Sequence, residues 1–82
     1  MPKYDFFVCN KRKRIKYPKN FYLADVEGAR QVAVRIAQAF GRVVPGWNEL
    51  SSDQQNNFTV EVMDEAGQTV LTVSFIDAEQ SK

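Results

Sequence analysis

Apolar residues recur along the chain at strand or helix spacing, and each stretch predicts one element. From Lys3 to Cys9 (KYDFFVC) they alternate: Tyr4, Phe6 and Val8 share one face, Asp5, Phe7 and Cys9 the other. A β-strand follows from this, and Phe7 on the second face marks it as central or covered on both sides. Asn10–Lys13 reads as a turn, leading to a weaker strand over Arg14–Tyr22 with Ile15 and Tyr17 in phase. Pro18 lacks the N–H a ladder needs, so this strand lies at a sheet edge or breaks there.

After Asp25 the spacing changes to three and four. Ala29, Val32, Ala33, Ile36 and Phe40 form one apolar stripe, opposite Glu27, Arg30, Gln31, Arg35 and Gln38. A helix over about 25–40 is predicted, with Asp25 as N-cap and Glu27 in the first turn, where the helix dipole favours an anion. Gly28 weakens that turn by about 1 kcal/mol relative to Ala. Gly41 suits the C-terminal cap, and Pro45 ends any further turn. The stretch from Pro45 to Asn57 (PGWNELSSDQQNN) reads as a loop anchored by Trp47 and Leu50, with a short helical turn around Ser52–Gln55.

A hairpin closes the pattern. Phe58, Val60 and Val62 alternate with polar residues, as do Leu71, Val73 and Phe75. One shared apolar face requires Val62 opposite Leu71 and Val60 opposite Val73. Asp64 then faces Thr69, leaving an Ala66–Gly67 tip or a Glu65–Gln68 loop with Gly67 at positive φ. Residues 77–82 (DAEQSK) read as a polar, frayed tail. The order ββαββ predicts an α+β fold: an antiparallel four-stranded sheet with one amphipathic helix packed on one face. At 82 residues the chain makes a single small domain, 1–82.

Three stretches together resemble a known family. They are Pro2-Lys3-Tyr4-Asp5-Phe6, Leu23-Ala24-Asp25 followed by Ala29-Arg30, and Phe58-Thr59-Val60-Glu61-Val62-Met63-Asp64-Glu65-Ala66-Gly67 closing into Val70-Leu71-Thr72-Val73. The family is one of short proteins, a domain of unknown function abundant in rhizobia and related alphaproteobacteria. The shared motifs are strand phasing, a helix cap and a turn glycine, so the resemblance implies a fold and carries no catalytic or binding residue. This chain departs from the pattern between the first strand and the helix. Members of the family it resembles tend to be acidic or neutral there, whereas this chain reads KRKRIKYPKNFY.

Composition narrows the chemistry. There is no histidine, which removes imidazole catalysis and His-ligated metals, and Cys9 alone can form neither an internal disulfide nor a thiol–imidazole pair. The four glycines form no phosphate-binding run, and the acids are scattered. Neither catalysis, a cofactor nor a metal is expected. No apolar stretch is long enough to span a membrane, and Lys3 and Asp5 interrupt any signal-peptide core, which favours the cytoplasm.

Charge supplies the one feature that points to a partner. Seven of the eleven Lys and Arg residues lie in the first nineteen positions, offset there by Asp5 alone, while residues 48–82 hold seven acids against Lys82. The net charge of +1 hides this polarity. Lys11, Arg12, Lys13, Arg14, Lys16 and Lys19 are therefore the candidate binding residues, for an acidic protein or, with Tyr17, Phe21 and Tyr22 nearby, for nucleic acid. In an extended strand Lys11, Lys13 and Phe21 take one face, and Arg12, Arg14, Lys16 and Tyr22 the other. The plain alternative is a solvated turn and a charged edge that resists aggregation.

Cys9 and Trp47 fit core or anchoring roles, and Asp64 and Glu65 fit turn chemistry better than cation binding. The expected function is a non-enzymatic protein-interaction or self-associating module, with a nucleic-acid-binding module on Lys11–Lys19 as the alternative.

Overall fold

The computed structural model describes residues 1–80. Its strands are β1 (Lys3–Cys9), β2 (Arg14–Lys16), β3 (Phe21–Tyr22), β4 (Thr59–Met63) and β5 (Thr69–Ser74). Its α-helices are α1 (Val26–Gly41), α2 (Ser52–Asn56) and α3 (Phe75–Gln80), with a 3-10 turn at Trp47–Glu49. The sheet is antiparallel in the order β2-β1-β4-β5, and β3 pairs with β1 on the same side as β2. This is the expected α+β architecture, with five strands among the described residues where four were expected. The second strand breaks at Pro18: β2 pairs with the end of β1 and β3 with its start, while the intervening residues bulge away.

Alternation sets the core. Tyr4, Phe6, Val60, Val62 and Val73 are buried on the face that carries the helices, where Phe21 meets Phe6 edge to face at 5.5 Å. The hairpin pairs Val62 with Leu71 and Val60 with Val73, as the apolar pattern requires. Beyond that point the register corrects the sequence reading. A bulge at Val62/Met63 places Met63, not Asp64, opposite Thr69. The loop therefore has three residues, Glu65–Gly67, closed by Asp64 N–H donating to the Gln68 carbonyl at 3.0 Å. Gly67 takes the positive φ, 80°. Asp64 Oδ1 accepts from the N–H groups of Ala66 and Gln68, which is turn chemistry as expected.

The helix begins where its cap predicts, with Gly28 N–H donating to Asp25 Oδ1 at 2.9 Å. It ends differently. Gly41 stays helical with no positive φ, and Arg42 caps the end in right-handed geometry. The buried stripe is Ala29, Ala33, Ile36 and Ala37, so the helix is turned slightly from the expected phase and Phe40 is left 38% exposed. Ser51 forms a capping box with Gln54 and starts α2 near the predicted helical turn.

The expected frayed tail at 77–82 is corrected. Residues Phe75–Gln80 form α3, with Phe75 and Ala78 buried against α1, while 81–82 lie outside the described residues. Ser74 Oγ accepts from Asp77 N–H at 3.1 Å and starts that helix. Phe75 opens that helix while its N–H still donates to the Phe58 carbonyl at 2.9 Å, and its ring joins a cluster with Trp47 and Phe58.

Candidate functional site

Helix placement decides which surface is left over. α1 packs over β4 and β5 and against α3, touches β1 at few positions, and leaves β2 without a helix above it. Ile15 pairs with Val8 and faces the helix side of the sheet, yet it is 59% exposed because nothing covers it. Across from it the last turn of α1 and the residues after it present Phe40 and Val43, the latter 72% exposed. Between them runs a groove of about 230 Å³, with Val8, Tyr17, Val44 and Phe58 among its walls. Tyr17 braces the groove edge to face against Phe40, centroids 6.3 Å apart. Its charged lining residues are Lys13 and Lys16, with no acid.

The basic residues are distributed by the turn and the pleat. Asn10 N–H donates to the Lys13 carbonyl at 2.9 Å, while Asn10 Oδ1 accepts from Arg12 and Lys13 N–H, which fixes Lys11–Lys13 as a tight turn. Arg14 and Lys16 share the opposite, helix-free face of the sheet with Phe7 and Cys9, their partners' side. Lys13 borders the groove and Lys16 lines it from a strand position whose side chain lies on the other face, whereas Lys11, Arg12 and Lys19 are exposed away from its lining. Arg14 is occupied: its guanidinium lies 3.9 Å from the Phe7 ring centroid and its Nε is 3.1 Å from Glu61 Oε1. Its Nη2 also points at Met63 Sδ. Among the described residues no other member of the basic segment has an ion-pair partner.

Arg14 also settles how Phe7 is screened on a face without helices. β1 is central because it lies between β2 and β4, and on its helix-free face the guanidinium covers the Phe7 ring. Cys9 beside it is a buried free thiol. Burial, and then the Glu61 carboxylate, push its pKa up, and the Arg14 charge only partly offsets them. It is a packed thiol held toward its protonated form.

A wider cleft of about 620 Å³ lies at Trp47, between the end of α1 and α3. There Arg42 stands among Glu49 and Glu79, and Trp47 is already committed, packing on Phe58 and Phe75 with its indole N–H 3.4 Å from Glu79 Oε2. Trp47 is thus the anchor the sequence predicts. Among the described residues no cluster of acids, cysteine or histidine could hold a metal ion, and no helix is long and apolar enough to cross a membrane.

Comparison with known proteins agrees with this emphasis on fold. The family model described as Domain of unknown function (DUF6894) matches residues 3–76. The chain belongs to that family. The match runs from the start of β1 into the first turn of α3, so it covers every strand and both walls of the β2 groove. No curated protein and no solved structure matches the chain.

The groove was legible only in part. Lys13, Lys16 and Tyr17 stood in the candidate segment, but Ile15, Phe40 and Val43 read as strand or helix positions. The one signal was the position of Val43, two residues past the end of α1 at Gly41.

Proposed function

We propose that this domain is a protein-binding module that docks its partner on the β2 side. The observation that carries the reading is the exposure of Ile15, Phe40 and Val43 around one apolar groove bordered by lysines. A chain this short has little apolar volume to spare, and burying one such side chain stabilises an interface by about 1.5–3 kcal/mol. Lysines at the rim keep the free groove in solution and select an acidic partner. The absence of an acid from the lining gives the charge preference one sign.

Nucleic acid fits this surface less well. Arg14 is turned onto Phe7 and Glu61, and the remaining cations spread over a turn, a groove rim and the loop after Pro18, not along one stripe.

The test is photo-crosslinking in cells from a benzoylphenylalanine placed at Val43. Discrete protein adducts that vanish when Ile15→Glu is added support the reading. No adducts, or adducts unaffected by Ile15→Glu, contradict it.

A further inference from the structure

The hydrogen-bond parity of β2 says more about the partner than the groove does. Tyr17 N–H donates to the Phe6 carbonyl at 2.7 Å, and Asn10 N–H donates to the Lys13 carbonyl at 2.9 Å. In an antiparallel ladder, bonded pairs alternate with non-bonded ones. With Phe6–Tyr17 and Asn10–Lys13 bonded, Val8–Ile15 is bonded as well, and the register Phe7↔Lys16 and Cys9↔Arg14 falls on non-bonded pairs. Ile15 therefore directs its peptide groups at β1, while Arg14 and Lys16 turn both N–H and C=O away from the sheet. β2 is the end of the strand order, so those four groups form an open edge directly beside the groove.

From this geometry we infer that the partner docks as an extended segment added antiparallel to β2, with an acidic–apolar–acidic core. Residues opposite Arg14 and Lys16 exchange backbone hydrogen bonds with them and place side chains on the same, helix-free face. An acid opposite Lys16 meets a cation with no ion-pair partner among the described residues, while one opposite Arg14 shares a guanidinium that Glu61 already holds. The residue between them lies opposite Ile15 and points to the helix side, into the groove walled by Phe40 and Val43. Pro18 limits the added strand to this short stretch, because the backbone leaves β1 there.

The same parity argues against a second copy on this edge. A two-fold pairing of β2 with itself about Ile15 would set Arg14 against Lys16 twice, and like charges directly opposite are destabilising. The inference rests on the docking reading above, but its test is separate from the crosslinking.

The experiment titrates the isotope-labelled full chain with a blocked nine-residue peptide carrying a central Glu-Ile-Glu, followed by amide NMR. Shifts should centre on Arg14, Ile15, Lys16 and Val43. N-methylation of both Glu residues, which face the open edge, should weaken binding by at least about tenfold, the loss expected for backbone hydrogen bonds at an interface. N-methylation of the central Ile should leave binding unchanged.

Lys16→Glu should weaken the acidic peptide by about two- to fivefold, and a peptide with one Glu replaced by Lys should recover that loss. Binding indifferent to all N-methylation means a helix lies in the groove; the strand inference then fails while docking on the β2 side stands. No peptide shift, or a larger response of these amides to a single-stranded oligonucleotide, overturns the inference whatever the crosslinking shows. Concentration-dependent shifts of the free protein at the same amides would replace it with self-pairing.

Discussion

A methyl group added at Gly28 would meet Asp25 Oδ1 at 3.6 Å and Leu23 Cβ at 3.7 Å, ordinary van der Waals distances. Gly28→Ala should therefore stabilise the protein by about 0.5–1 kcal/mol, since the helical backbone suits Ala and the unfolded chain loses freedom. At Gly67 the same change should cost about 1–2 kcal/mol, because φ is 80° there although no atom lies within 4 Å. Urea unfolding of the two variants should show shifts of opposite sign.

Cys9 gives the residue scale its pH dependence. Burial and Glu61 raise its folded pKa above the ordinary value of 9.0. Above that value the unfolded thiol ionises while the folded one keeps its proton, so the unfolded state binds fewer protons and stability falls as pH rises. Melting temperatures between about pH 8 and pH 10 should fall more steeply for the native chain than for Cys9→Ala. Equal slopes would remove Cys9 from the explanation.

At the scale of elements, caps carry much of the short-range order. Ser74→Ala removes the acceptor for Asp77 N–H and should cost about 1 kcal/mol, with the loss of helical signal confined to α3. Circular dichroism with amide exchange at 75–80 checks this. That helix is also the element the sequence shows least clearly. Phe75 continues the strand alternation of Leu71 and Val73, so the two-residue period hid the Ser74-to-Asp77 cap spacing.

Elsewhere polarity left one solution. A hairpin with Val60 and Val62 on one face admits only Val73 and Leu71 opposite them, and β1 reads from Lys3 to Cys9 without ambiguity. The Val62/Met63 bulge could not be read, because inserting Val70 changes no polarity on the core face. Phe40 was misplaced for a related reason: Ala37 and Phe40 both fit the stripe, and closeness to the sheet selects the smaller side chain.

For the whole molecule, the decisive fact is an offset between layers. The helices cover β4 and β5, so the sheet extends past its cover and β2 ends as an apolar residue between cations. The sequence showed the cations and the edge strand, but the missing cover is a long-range property that no local spacing encodes. Ile15 then has no structural duty. Ile15→Glu should change stability by no more than about 0.5 kcal/mol, whereas Phe6→Ala, fully buried beneath Phe21, should cost about 3–5 kcal/mol. A large loss at Ile15 would mean that it belongs to the core.

Residue-resolved amide exchange, on the free chain and on the complex captured at Val43, bears most directly on β2 as the docking edge. In the free protein the Arg14 and Lys16 amides should exchange fast and the Ile15 amide slowly, as their hydrogen-bond parity dictates. In the complex Arg14 and Lys16 should become protected while Ile15 stays unchanged. Fast exchange at Arg14 and Lys16 in both states, with new protection along β5 or around Trp47, would contradict the account.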